Sequence, residues 1–183
     1  MRFLTPVIPA TPGVYALQLY LEQPSTLEVG KLGGALFPTG MHIYLGSARG
    51  PGGLRARLKH HISSSSTHPH WHIDYLRRVC KLEGIYFFPQ GTKKDKYTFQ
   101  PTPFECLWAQ SLTSLSPARI VLPGFGASDC RSSCLSHLVS FPRTQNQGST
   151  YFHKKFSSLV KNTLAVASDI SLDEIVFIST GFN

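Results

Sequence analysis

Charge is scarce in this chain, and acidic charge is scarcest. Only 15% of its 183 residues are charged, with ten Asp and Glu against eighteen Lys and Arg. So little charge, with 42% hydrophobic residues, excludes a disordered chain. No apolar stretch approaches the ~20 residues that a bilayer-crossing helix needs, so no membrane partner is expected. Pro6, Pro9 and Pro12 interrupt the place where a signal peptide would carry its apolar run. Four cysteines (Cys80, Cys106, Cys130 and Cys134) are too few and too irregular for a secreted disulfide scaffold. Together these absences predict a cytoplasmic, reduced protein. What is present is a surplus of eight positive charges and a pI near 9.5. That surplus favours a polyanionic partner, because cations laid on phosphates release condensed counterions.

The length suits one domain with a proper core. β-prone residues from Tyr15 to Leu21 predict a first strand, and the glycine-containing stretch 27–36 predicts a hairpin or loop. A second strand is expected over 41–48. Gly50-Pro51-Gly52-Gly53 is turn chemistry before a helix over 54–62, and a second helix should run from Thr67 or Pro69 to about residue 79. A third strand is expected over 85–88, followed by a basic loop tip at 91–96. A third helix should open at Thr102-Pro103 and end near 115, with an edge strand or extended segment at 120–122. A polar linker (143–150) then leads to a helix over 152–164 and a strand over 172–178. The fold class expected is α/β (an α+β sandwich), with a small, three-stranded, mainly antiparallel sheet flanked by helices. The expected division is a domain over 1–142, the linker, and a C-terminal appendage over 151–183 packing on that core.

Several side chains could carry chemistry. On the first helix Leu54, Leu58 and Ile62 form an apolar stripe, Arg57 and His61 lie together along its border, and Lys59 points away. A border arginine can snorkel from the core edge or line a cleft. Thr102-Pro103-Phe104-Glu105 reads as a capping box, with Glu105 bonding back to the Thr102 amide. Yet Glu105 also shares a helix face with Trp108, Ala109 and Leu112, and an inward carboxylate needs a partner. Five histidines fall between residues 60 and 72 (His60, His61, His68, His70, His72), without the cysteines that a zinc site would favour. His72 falls on the apolar face of the second helix with Ile73, Leu76, Val79 and Cys80, while His70 and Asp74 face away. Cys130, Cys134 and His137 are three residues at a spacing that is no recognised zinc signature, and buried thiols are the expected reading. Asp129 could cap a turn or approach a site.

Gly13-Val14-Tyr15 and Tyr44-Leu45-Gly46, followed by Arg57 and His61 on the next helix, resemble the GIY-YIG nuclease superfamily. Phe37-Pro38-Thr39-Gly40, Gly50-Pro51-Gly52-Gly53-Leu54, His70-Trp71-His72-Ile73-Asp74-Tyr75-Leu76 and Gly124-Phe125-Gly126-Ala127-Ser128-Asp129-Cys130 resemble one prokaryotic branch of it. The match covers roughly residues 13 to 115 and extends more weakly through the last of these stretches. Tyr15 and Tyr44 stand farther apart than in typical members, which implies an insertion between the motifs. The resemblance implies a three-stranded antiparallel sheet flanked by helices and a metal-dependent endonuclease, with DNA favoured over RNA and repair or processing as its setting. It implies that Tyr15 activates the attacking water, helped by His61, while Tyr44 positions it. Arg57 then clamps the scissile phosphate, His72 (or His70) is an additional active-site histidine, and Glu105 binds a single Mg²⁺ or Mn²⁺. Arg49, Arg55, Lys59, Lys93, Lys94 and Lys96, and Lys154, Lys155 and Lys161, are candidate backbone contacts. The alternatives are a nucleic-acid-binding module that no longer cleaves, or a non-catalytic subunit of a repair assembly whose C-terminal segment docks a protein partner.

Overall fold

The computed structural model describes residues 7–63, 69–90, 102–143 and 149–180. Its strands are β1 (Gly13–Leu21), β2 (Ser25–Glu28), β3 (Gly34–Phe37), β4 (Gly40–Ala48), β5 (Lys81–Pro89), β6 (Leu138–Pro142) and β7 (Val176–Ser179). Its helices are α1 (Gly53–Ile62), α2 (His72–Arg77), α3 (Phe104–Thr113) and α4 (Ser149–Ser168). Eight of the nine β1 residues are buried, so this strand must lie in the middle of a sheet covered on both faces. It pairs antiparallel with β4 on one side and β5 on the other, and the sheet runs β6-β4-β1-β5-β7. β2 and β3 form a separate two-stranded hairpin between the two tyrosine-bearing strands.

The period-two alternation of β1 sorts two cores. Val14 and Ala16, with Ile43, Leu45, Tyr86 and Phe88 beside them, pack under Phe104, Trp108 and Leu112 of α3 and under Phe156, Val160 and Leu164 of α4. Tyr15, Leu17 and Leu19 face the other way, onto Leu54 and Leu58 of α1, Ile73 and Leu76 of α2, and Val29 and Phe37 around the hairpin. A polar tie crosses the first core. Buried Gln18 accepts hydrogen bonds through its Oε1 from the Tyr86 hydroxyl (2.6 Å) and the Ser157 hydroxyl (3.0 Å), which fastens α4 to the sheet. His42 is buried as well, with Nδ1 2.8 Å from the Ser140 hydroxyl and Nε2 donating to the Pro38 carbonyl at 3.0 Å.

The mixed architecture and antiparallel pairing follow the sequence expectation, but the sheet has five strands rather than three. The two additions are short edge strands, β6 ending in Pro142 and β7 only four residues long. Residues 120–122 contribute no strand, and their neighbour Arg119 makes a single bridge to Ser140 of β6. Helix α2 is one turn and a half rather than three, because the Asp74 carboxylate captures the His70 and Trp71 amides and starts the helix late. Thr102 is not the N-cap of α3; Pro103 is, with no side-chain cap, so the capping-box reading of Glu105 fails. Ile62 and Val79, expected inside, are 47% and 40% exposed.

Residues 151–183 hold most of α4 and all of β7, so this stretch is integrated into sheet and core rather than laid upon them. Phe156, Val160, Leu164, Ile170 and Ile175 are all buried. Each such side chain contributes roughly 1.5–3 kcal/mol, and five of them reach the ~5–15 kcal/mol that holds an ordinary domain together. A chain truncated after Arg143 is therefore expected to be insoluble or molten. Near-UV circular dichroism and urea unfolding check this, and a cooperative transition in the truncated chain would contradict it.

Candidate active site

Register places the chemistry at one end of the sheet. Tyr15, near the start of β1, lies opposite Gly46 near the end of β4 and opposite Phe87 near the end of β5. A cleft of about 760 Å³ opens there, lined among others by Tyr15, Tyr44, Arg57, His72, Glu105 and Asp129. Five of the sequence-selected residues thus converge, and the sixth, His61, stands directly behind them.

His61 is fully buried rather than at a solvated border, and its Nε2 lies 2.9 Å from the Tyr15 hydroxyl. The pair is backed closely. A Cβ on Gly46 would come within 2.5 Å of the Tyr15 hydroxyl, so only glycine fits there. Burial lowers His61 to about 3, with the neighbouring His60 adding to the effect, so the imidazole is neutral. Burial also raises Tyr15 well above the ordinary tyrosine value, Tyr44 raises it further, and Arg57 only partly offsets this. Tyr44 stands with its ring 6.4 Å from that of Tyr15, and burial raises it to about 12. Both phenols keep their protons at neutral pH. Gly126, at φ +69°, lets the loop after residue 123 press against Tyr44, where a Cβ would be 2.7 Å from the ring.

Arg57 rests its guanidinium 4.2 Å from the centre of the Trp71 ring, a cation–π seat that holds the fork in place. Asp74 organises that seat. Its Oδ2 accepts from the His70 and Trp71 amides at 2.9 Å each, and its Oδ1 lies 3.2 Å from His60 Nε2. Burial works against that ionised carboxylate, but the two amides and His60 outweigh it and hold Asp74 below the usual range. Asp74 is thus buried at a structural post, contrary to the sequence expectation that it faces away. His72 is half-buried at the cleft, and its Nδ1 accepts the Gly126 amide at 3.0 Å. Burial lowers its pKa, so the ring is neutral with its proton on Nε2.

Glu105 reaches the cleft from the first turn of α3. Its Oε1 meets Arg49 at a long 3.4 Å, while its Oε2 is buried with no partner among the described residues. Carboxylate oxygens buried in this way are normally satisfied, so an unpartnered one marks a place for a cation. Mg²⁺ or Mn²⁺ fits this donor: hard cations take oxygen ligands and complete their shell with water and phosphate.

Other expectations scatter. Arg49 and His70 line the cleft, but Lys59 does not, and Arg55 is exposed with its Nε donating to the Ile8 carbonyl. Lys161 lies on α4, away from the cleft lining. Lys93, Lys94 and Lys96 are outside the described residues, as are the side chains of Lys154 and Lys155. Of the histidine cluster, His60 and His61 meet Asp74, with ligand-type atoms within 4.8 Å of one another, and His68 is outside the described residues. Two partners went unread in the sequence: Trp71 under Arg57, and Cys106, which joins Cys130, Cys134 and His137 at the cleft wall. The adjacency of Cys106 to Glu105 was the available signal.

The family model for the domain of unknown function DUF123 matches residues 14–160, and the chain belongs to that family. No curated protein and no solved structure matches it. Among the described residues no helix is long and apolar enough to cross a membrane.

Two outcomes follow from the packing. Gly46→Ala should force Tyr15 off His61 and cost about 1–3 kcal/mol in urea unfolding, as overpacked cores do; an unchanged midpoint would show that the site yields freely. His61 and His42 are both held neutral by burial, at about 3 and about 4 against an ordinary 6.5. Between those values the unfolded chain binds protons that the folded chain refuses, so stability falls as pH drops below 6.5. The loss should reach a few kcal/mol by pH 4, since moving one pKa by a single pH unit is worth ~1.4 kcal/mol. Urea midpoints measured from pH 7 to 4 test this, and a flat profile would contradict it.

Proposed function

We propose that this member of the DUF123 family is a metal-dependent endonuclease that hydrolyses phosphodiester bonds of nucleic acid, DNA in preference to RNA. The observation that carries the reading is the buried Oε2 of Glu105, unpartnered among the described residues, in one cleft with Tyr15, Tyr44, His72 and the seated guanidinium of Arg57. A lone hard-cation ligand beside a preorganised arginine suits a phosphoryl group better than a carbonyl or a sugar ring. The chain's excess of eight positive charges supports a polyanionic substrate.

Glu105 would hold Mg²⁺ or Mn²⁺, which when bound supplies Lewis-acid polarisation of the phosphate and stabilises the departing oxygen. Arg57 presents its planar fork to the non-bridging oxygens and counters the charge that grows there in the transition state. Its seat on Trp71 fixes that fork before substrate arrives, so little reorganisation is needed during reaction. His72 donates Nε2–H toward the phosphate because the Gly126 amide occupies its other nitrogen. Tyr15 is no standing base, since its phenol stays protonated. It orients the attacking water, and as it accepts the water's proton its own passes to Nε2 of neutral His61. Tyr44 closes the other side of the water. Arg49 guards the mouth and is displaced from Glu105 at small cost, because the contact is long and the arginine exposed.

The test is cleavage of single-stranded, duplex, flap and junction DNA, with matched RNA, in Mg²⁺, Mn²⁺ or EDTA. Wild type should cleave only with the divalent ion, and Arg57→Ala and Glu105→Gln should each lose ~10²-fold or more while unfolding at unchanged urea. Salt-sensitive binding without cleavage of any substrate would replace this reading with a binding module. Equal cleavage by all three proteins would place the chemistry elsewhere.

A further inference from the structure

A second, softer ligand set stands at the cleft wall, where α3 meets the loop over 123–137. Cys106, Cys130, Cys134 and His137 bring three sulfurs and one imidazole nitrogen together, with all four atoms within 4.8 Å of one another. The Cys106 sulfur lies 3.5 Å from that of Cys130 and 3.6 Å from His137 Nε2. A tetrahedral zinc ion, with Zn–S of ~2.3 Å and Zn–N of ~2.0 Å, would separate its sulfurs by ~3.8 Å and sulfur from nitrogen by ~3.6 Å. From the juxtaposition of these four side chains we propose that the protein carries a structural Zn²⁺ site of Cys₃His type.

The loop around these ligands points the same way. From Gly126 to Leu135 no residue is buried, and Leu135 is 60% exposed. The segment has no hydrophobic core to hold it, yet it turns through Ser133 at φ +55°, a conformation unfavourable for serine that brings Cys134 back toward the others. Small segments without a core are held by a staple, and four convergent ligands are one. Three thiolates select zinc over the hard ions suited to Glu105. On binding, each ligating thiol releases its proton to solvent, and the metal is neither oxidised nor reduced. Cys80 is the internal contrast: it sits in the second core with no other cysteine near it, and burial pushes its thiol up to about 12 although Arg77 beside it works the other way.

The loop so pinned carries Gly126, which presses on Tyr44 and donates to His72. Zinc would thus fix one wall of the cleft without touching substrate. This site does not depend on the nuclease reading, and the two separate experimentally. The full chain, purified without chelator, should contain about one equivalent of zinc by elemental analysis. Exchange for Co²⁺ should give visible bands of tetrahedral intensity and a thiolate charge-transfer band in the near ultraviolet. Cys130→Ser/Cys134→Ser should lose most of the zinc, while Cys80→Ser and Glu105→Gln keep it. If the double variant fails to fold, the cobalt spectrum of the wild-type chain still decides. No stoichiometric zinc and no tetrahedral cobalt spectrum would overturn the proposal. So would a Cys106–Cys130 disulfide found by mass spectrometry in freshly purified protein.

Discussion

A sheet buried on both faces leaves little room for chemistry, and that constraint organises this molecule. β1, β4 and β5 bury apolar residues on each side, so solvent meets the sheet only at its ends and edges. The two flanks contribute to the site from opposite directions. α1 and α2 bring Arg57, His61 and His72 from one side, while α3 carries Glu105 round from the other. The tyrosines come from the sheet itself. Because antiparallel pairing sets the first residues of β1 against the last residues of β4, Tyr15 and Tyr44 meet at the cleft although a whole hairpin separates them in the chain.

Burial also decides protonation. In water His61 would titrate near neutrality and Tyr15 near 10, but behind the cleft both are pushed to their uncharged forms. The result is a neutral hydrogen-bonded pair beside a fixed cation. Neither member brings a charge beside Arg57, whose guanidinium is seated on Trp71. Asp74 does quieter work nearby: a buried carboxylate satisfied by two amides and His60 sets the position of Trp71, and hence of the guanidinium above it.

Much of this was legible because it was local. Tyr15, Tyr44, Arg57 and Glu105 are singled out through the resemblance of their short motifs to a known family, and all four line one cleft; strands β1, β4 and β5 are long apolar runs. What escaped was long-range. The edge strand β6 is five residues ending in proline, and only pairing with β4 makes it a strand. The depth of His61 could not be read from helical periodicity, since it depends on Trp71 and the tyrosines closing over it. The capping-box pattern at Thr102 misled for the same reason, because helix α3 starts where Pro103 meets the core rather than where the local motif would place it. Cys130, Cys134 and His137 looked incomplete because their fourth partner lies on α3, some two dozen residues earlier.

The adjacency of Glu105 and Cys106 is the most economical feature of the design. Consecutive residues on a helix point ~100° apart, so one turn of α3 presents a carboxylate to the cleft and a thiol to the loop behind it. Their chemistries keep them distinct: a lone carboxylate with water and phosphate suits a hard, exchangeable ion, whereas thiolates and imidazole retain a borderline-soft one. A loop fixed through Cys106 is therefore fixed relative to Glu105 by a single peptide unit. Any slack in the loop would reach Tyr44 and His72 through Gly126, and a zinc ion shared with Cys106 would remove that slack. With both proposed ions bound, rigid placement of Glu105 and of the opposite cleft wall would come from one helical turn, which makes the first turn of α3, rather than either tyrosine motif, the joint between the two sites.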